Sequence, residues 1–285
     1  MNDNKSNIPK IIHYCWFGGK KLPKEAIKCI DSWKKYFPDY EIREWNESNF
    51  DVNCCDYVRE AYQKKKWAFV SDYARFDILY KCGGIYFDTD VEVISPMYDI
   101  VNKGPFVGLE SGTIEDLFNR NDIAKINPGL GMASLPNSIL FKEIINGYNK
   151  KHFIKENGDI DISYTVCHYV TDIIKKCDIE DVDGYAYSIG FYIYPKEYFC
   201  PKDYETGFVD KTSDTRTIHH YSATWISPVQ QRIHDIEKTY IKKYGVELGS
   251  YKSRKATFAY RVINKIENKG IIGTIKFVIE KLCGK

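Results

Sequence analysis

No stretch of the sequence approaches the roughly 20 consecutive apolar residues of a membrane span, and its polar start, MNDNKSNIPK, lacks the charged-then-apolar order of a secretory signal peptide. A cytoplasmic protein is therefore expected. An excess of one charge sign is also absent: 41 basic against 39 acidic side chains leave a formal +2, which excludes a globally basic nucleic-acid-binding surface. The nine cysteines contain no C-x-x-C pair and no repeated spacing, which argues against a zinc ribbon or a disulfide framework. Several, such as Cys15 within IIHYCWF and Cys82 beside Gly83, lie in apolar runs, where a free thiol behaves as a small hydrophobe. Their number favours a reducing compartment. Internal repeats and low-complexity segments are missing as well.

What is present is enough apolar material for a core. The 285 residues are 44% hydrophobic, which suits one large α/β domain or two small ones and excludes disorder. Aromatic residues reach 15%, with 23 Tyr, 15 Phe and 5 Trp, and flat amphipathic rings are what sugar- and nucleobase-stacking surfaces use. Charge is uneven. From Tyr251 to Lys285 nine basic residues stand against Glu267 and Glu280, so this stretch carries +7 and leaves −5 on the rest. We therefore divide the chain into a body of residues 1–250 and a basic amphipathic tail, 251–285.

Along the body, strand and helix patterns alternate. Ile8 to Phe17 reads as a buried first strand ending at Gly18-Gly19, followed by a helix from about Lys24 to Tyr36 that Pro38-Asp39 stops. Tyr40 to Trp45 is a short strand, and Glu60 to Lys66 a helix. A stronger helix, Trp67 to Lys81, closes at Cys82-Gly83-Gly84, where glycine can take positive φ. Ile85-Tyr86-Phe87 is then a strand, and Val91 to Ile94 another. Further on, Phe106 to Leu109, Leu130 to Ala133 and Phe191 to Tyr194 read as strands, and Ile139 to Tyr148 and Thr165 to Lys175 as helices. Such alternation predicts a mostly parallel sheet flanked by helices, with ligands bound beyond the carboxyl ends of its strands.

The segment that carries chemistry runs from Ser71 to Asp90. Asp72 and Arg75 are three apart on a helix and share a face, while the strand after the double glycine delivers Asp88-Thr89-Asp90. Two carboxylates at i and i+2 beyond a strand end can reach one hard divalent cation, and Mg²⁺ or Mn²⁺ completes its shell with substrate phosphates. An isolated D-x-D is often only a surface turn. Here an apolar strand leads into it and the S-D-x-x-R helix precedes it.

This pattern resembles glycosyltransferase family 32, the sugar-binding D-x-D group. The resemblance begins at Ile8-Pro9-Lys10-Ile11-Ile12-His13-Tyr14-Cys15-Trp16-Phe17-Gly18-Gly19, continues through Ser32-Trp33, Pro38 to Ile42 and Trp45-Asn46, includes Trp67 to Asp90, and returns at His219-His220-Tyr221-Ser222-Ala223-Thr224-Trp225. It implies a GT-A fold, a nucleotide-sugar donor, a divalent metal (Mn²⁺ or Mg²⁺) and transfer with retention of anomeric configuration. Carried over by position, Asp88 and Asp90 are the metal-binding pair, Asp88 also facing ribose or sugar. Asp72 and Arg75 hold the donor, and Trp16 stacks on the nucleobase. His220, rather than its neighbour His219, is expected to complete the metal shell, with Ser222 and Trp225 lining the donor phosphate or acceptor side. The stretch Asn127 to Ala133 resembles the family's small-residue segment near the acceptor, and His13 reads as structural.

These residues imply transfer of a hexose or N-acetylhexosamine, a UDP-sugar being favoured, to a glycan or lipid-linked acceptor in surface or capsular polysaccharide synthesis. Two other readings compete. A non-catalytic sugar-binding module would have less reason to keep Asp72, Arg75, Asp88 and Asp90 together. A D-x-D phosphohydrolase would carry its motif on the first strand, which here ends in Trp16-Phe17-Gly18-Gly19. In the tail, Phe258, Val262, Ile266, Ile275, Val278, Ile279 and Leu282 recur at helical spacing among lysines and arginines, a pattern that fits either an anionic membrane surface or a packed helical hairpin.

Overall fold

The computed structural model of the protein describes residues 7–160, 164–222 and 227–266. Its elements in chain order begin with β1 (Ile11–Cys15), α1 (Lys24–Tyr36), β2 (Glu41–Trp45), α2 (Asp56–Gln63), α3 (Trp67–Cys82), β3 (Gly84–Tyr86) and β4 (Val91–Val93). They continue with α4 (Tyr98–Lys103), β5 (Phe106–Ser111), α5 (Ile114–Phe118), β6 (Lys125–Ile126), β7 (Met132–Ser134), α6 (Ile139–Tyr148) and α7 (Val166–Lys176). Last come β8 (Glu180–Val182), β9 (Tyr185–Ser188), β10 (Phe191–Tyr194), α8 (Lys196–Phe199), β11 (Thr217–His219), α9 (Pro228–Tyr244) and α10 (Val246–Ala256). The chain divides into two compact units, the first made of Met1–Lys202 and Asp210–His220, the second of Asp203–Val209 and Tyr221–Lys285. The sequence-based boundary at 250/251 falls inside the second unit, within α10.

The first unit is built on a nine-stranded sheet in the order β2-β1-β3-β7-β5-β10-β9-β8, with β6 paired to β5. β1 is parallel to β2 and β3, and β10 is parallel to β5, while β7 runs antiparallel between β3 and β5. Followed through these pairings and the antiparallel β10-β9-β8 and β5-β6 ladders, six of the nine strands point the same way. This is the mostly parallel α/β sheet flanked by helices that the alternation predicts. It brings the carboxyl ends of β1, β3 and β5, and the segment entering β7, to one edge of the sheet.

Period-two alternation along the strands sends neighbouring residues to opposite faces. Tyr14 and Phe87 meet Trp33 of α1, with ring centres 5.8 and 5.4 Å away. Trp33 is fully buried, and its indole N–H donates to the Val91 carbonyl at 2.7 Å. Cys15 and Tyr86 face the other way, into the core cluster that also holds Val70, Ala74 and Phe76 of α3 and Phe141 of α6. α3 is buried at seven of its sixteen positions, Arg75 among them. It ends at Gly83, whose φ of +62° lets its N–H cap the Leu79 carbonyl at 2.8 Å, as the double glycine predicts. A short separate ladder pairs β4 antiparallel with β11, His219 opposite Val91.

The second unit contains α9 and α10 joined through Gly245, which takes a φ of +79°. α9 begins with a capping box in which Ser227 and Gln230 satisfy each other's backbone N–H groups, the arrangement that fixes a helix start. The pair crosses closely at Gly249, where a Cβ would stand 2.5 Å from the Ile241 Cα. The chain is helical again from 258 to 266; the expected apolar positions from Ile275 onward lie outside the described residues.

Candidate donor and metal site

The alternation that turns Tyr86 towards α3 turns Asp88 the same way, because the two are i and i+2 on one extended segment. Asp88 therefore meets Arg75, which α3 presents to the end of β3. Arg75 Nη2 lies 2.9 Å from Asp72 Oδ1 and 3.3 Å from Asp88 Oδ1. The Tyr86 hydroxyl donates to Asp88 Oδ1 at 3.0 Å, and the guanidinium stands 5.1 Å from the Tyr86 ring centre. Arg75 is only 4% exposed, so this is not the exposed i,i+3 pair that spacing alone would allow. A buried guanidinium needs such partners. Burial works against its charge, but Asp88, Tyr86 and Asp72 outweigh it and hold its pKa well above the usual value.

The carboxylates respond to the same enclosure. Burial pushes the Asp72 carboxyl up to about 6 against the pull of Arg75, and burial likewise raises Asp88. Asp90 faces β11. His219 Nε2 lies 3.2 Å from Asp90 Oδ1, and although burial opposes protonation of this imidazole, Asp90 raises its pKa on balance. Ionisable groups displaced in this way concentrate where chemistry is done.

Asp88, Asp90 and His219 each offer one ligand atom, and the three atoms lie within 4.8 Å of one another. Two carboxylates and one imidazole form a donor set that Mn²⁺ accepts, whereas Mg²⁺ favours oxygen throughout. The residues present thus fit the divalent metal that the resemblance implies. The histidine among them is His219 and not His220. The ladder with β4 sets His219 beside Val91 and turns its ring to Asp90, and alternation sends the next ring the other way. His220 Nε2 instead contacts Glu92 Oε2 at 2.8 Å, while its backbone N–H donates to the Asp90 carbonyl.

A loop that the sequence marks only weakly closes on Asp88. The Asp88 N–H donates to the Gly129 carbonyl at 3.2 Å, the Gly129 N–H to Asn127 Oδ1 at 2.7 Å, and Asn127 Nδ2 to Glu110 Oε1 at 3.1 Å. A Cβ on Gly129 would stand 2.1 Å from Asp88 Oδ2, so only glycine leaves room for that carboxylate. Tyr86 and Glu110 are what residue-by-residue reading overlooks; His219 is passed over for His220, and the Asn127–Ala133 stretch, expected near the acceptor, holds Asp88 through Asn127 and Gly129. For Tyr86 the signal was available, since it precedes Asp88 by two.

The remaining candidates fall as follows. Trp16 follows β1 on the ligand edge, half-buried, its indole N–H donating to the Lys20 carbonyl at 2.6 Å. Ser222 is half-buried in the second unit, and Trp225 lies outside the described residues. His13 is fully buried between Trp45 and Gly83, a structural position as expected.

Comparison with known proteins meets this geometry. Residues 23–107 match the family described as glycosyltransferase sugar-binding region containing DXD motif. Over these residues the chain carries the pattern of the DXD-containing, family-32-like glycosyltransferases. An uncharacterised glycosyltransferase of Acanthamoeba polyphaga mimivirus is 27% identical over 207 residues, covering 62% of this chain and 80% of the relative. Inositol phosphoceramide mannosyltransferase 1 of Schizosaccharomyces pombe is 25% identical over 182 residues, 57% of this chain and about half, 52%, of that protein. Among solved structures, the PaToxG glycosyltransferase matches at 17% identity with a TM-score of 0.37, over 50% of this chain and 60% of its own. Asp72, Arg75, Asp88 and Asp90 all fall inside the region matched to the family, whereas Trp16, Gly129 and His219 lie outside it.

Proposed function

We propose that the protein is a metal-dependent, retaining glycosyltransferase that moves a hexose or N-acetylhexosamine from a nucleotide sugar, a UDP-sugar by preference, to a glycan acceptor of surface or capsular polysaccharide. The observation that carries the reading is the junction of two clusters at one carboxylate. Asp88 joins Asp90 and His219 on one side and the buried Arg75–Asp72 pair on the other. Asp88, Asp90 and His219 would hold Mn²⁺, and a divalent cation there supplies Lewis-acid stabilisation of a departing diphosphate. Arg75, kept charged and braced by Asp72, adds a fixed positive charge where negative charge develops. Asp72, partly neutralised by burial, accepts or donates a hydrogen bond to a sugar hydroxyl. Trp16, on the same sheet edge, offers a ring for the base. The preference for UDP and for retention rests on the resemblance of the first strand and the D-x-D block to family 32. A cytoplasmic enzyme working at the inner membrane face accords with the basic tail, and among the described residues no helix is long and apolar enough to cross a membrane.

The test is a thermal-shift and donor-hydrolysis screen against UDP-, GDP-, dTDP- and CMP-sugars, with and without Mn²⁺. A ligand that binds only the native state raises the melting temperature even when the acceptor is missing. A Mn²⁺-dependent shift with one donor is expected, and Asp90→Asn should lower hydrolysis by roughly 100-fold or more with little loss of stability. Near-normal activity of Asp90→Asn with Mn²⁺ would sink the metal assignment.

A further inference from the structure

The second unit holds a cleft of about 1000 Å³ lined from α9, α10, the helical residues after 257 and the loop at 204–205. Two features of its lining do not belong to an ordinary solvated helix surface. Two large rings stand well exposed, Tyr251 at 60% and Phe258 at 54%, beside Tyr204, which packs edge-on against Tyr221 and His234. Cations also outnumber anions. Of the two glutamates in the lining, Glu237 is held by Arg261, which leaves Lys238, Arg254 and Lys255 facing Glu205 alone. None of these three cations forms an ion pair with another described residue. Lys238 Nζ stands 5.2 Å from the Tyr204 ring centre and Lys255 Nζ 5.6 Å from that of Tyr251, so ring faces and positive charges are interleaved.

We propose that this cleft is a saccharide subsite for an anionic glycan, binding a glycosyl phosphate with the sugar on the rings and the phosphate on Lys238, Arg254 and Lys255. The inference rests on the glycosyltransferase reading in one respect, that the ligand is the acceptor. Ring faces match the C–H faces of a pyranose, while ammonium and guanidinium groups match phosphate oxygens. Size and charge select the occupant. A cleft of this volume exceeds what a lone phosphate fills and suits a ligand of a few rings. A general polyanion is disfavoured because the whole chain carries only +2. The chain's own residues 267–285 are disfavoured because they bring four lysines against two glutamates to a surface already positive.

The experiment uses the full chain in EDTA, so that a donor site dependent on divalent metal does not contribute. Calorimetry compares lactose 1-phosphate, lactose and inorganic phosphate, beside cosedimentation with phosphatidylglycerol vesicles. Lactose 1-phosphate should bind at least about tenfold more tightly than either fragment, and Arg254→Glu/Lys255→Glu should lose at least about tenfold of that affinity. Tyr251→Ala and Phe258→Ala should weaken lactose 1-phosphate while leaving inorganic phosphate unchanged. All four positions line an open cleft, and melting temperatures check that the variants fold. Lactose 1-phosphate binding no tighter than phosphate, or indifferent to the charge reversal, overturns the proposal. Vesicle binding that the reversal removes, in a chain that does not bind lactose 1-phosphate, makes the cleft a lipid-facing surface and overturns it too. Asp90→Asn should bind lactose 1-phosphate as the wild type does, so a failed donor reading and a failed cleft remain distinguishable.

Discussion

At Gly129 the lack of a side chain sets the position of a carboxylate. Its φ lies outside the left-handed region, so alanine is allowed by the backbone, but the added Cβ meets Asp88 Oδ2. Gly129→Ala should therefore weaken apparent Mn²⁺ affinity by roughly 10- to 100-fold, read as the Mn²⁺ dependence of the melting temperature, with the metal-free melting temperature nearly unchanged. His13 offers a second test at this scale. Its Nδ1 accepts the Trp45 indole N–H at 3.0 Å, so Nε2 carries the proton and donates to the Gly83 carbonyl at 2.9 Å. Burial pushes its pKa from the usual 6.5 down to about 4. Between those values the unfolded chain binds the proton and the folded one does not, so stability rises with pH across the window. On lowering the pH from about 6.5 to 4, on the order of 3 kcal/mol should be lost from this group. Urea unfolding at several pH values checks the slope, which His13→Gln should flatten.

At the scale of elements, the site depends on how α3 hands the chain to β3. The turn is made by Gly83 and Gly84, with φ of +62° and +101°. A Cβ on Gly84 would stand 2.6 Å from the Ile11 carbonyl oxygen, a backbone atom of the neighbouring strand. Gly84→Ala combines strain with that clash and should cost of order 1–3 kcal/mol or more, measured by denaturant midpoint, with donor hydrolysis falling as Asp88 shifts. This unit was legible in sequence: the apolar-rich helix, the double glycine and the apolar strand each point to their own conformation. Helix α1 and strand β10 were legible for the same reason. Strands β8 and β9 were not, because Glu180–Val182 shows no apolar alternation and takes its strand form from the ladder to β9. α2 begins at Asp56, earlier than the apolar pattern implies, since the extended Cys55 opens the helix there.

At the scale of the whole molecule, no disulfide ties the described residues together. All eight described cysteines are free, several of them within the core, where burial pushes the Cys15 and Cys29 thiols up to about 12. Reductant should leave the melting temperature unchanged; a drop on adding dithiothreitol would reveal a covalent link that the fold does not use. Charge is organised at this scale as well. The chain is nearly neutral overall, yet its acidic cluster lies in the first unit and its excess of lysine and arginine in the second. Raised ionic strength should therefore weaken vesicle or glycosyl-phosphate binding while leaving Mn²⁺ binding largely intact, because exposed charges are screened and enclosed ones are not.

Local chemistry determined the α/β class, the helix–glycine–strand unit and the four residues Asp72, Arg75, Asp88 and Asp90, since each depends on spacing along a few consecutive residues. Which histidine joins them was not a local question. His219 and His220 are adjacent and chemically equal, and only the pairing of β11 with β4, which joins His219 to Val91 across 128 residues, turns one ring to Asp90 and the other to Glu92. The hold of Glu110, Asn127 and Gly129 on Asp88 likewise exists only because β7 pairs with β3 on one side and β5 on the other. Residues distant in sequence become one site through strand pairing, and strand pairing is decided by the packing of the whole core.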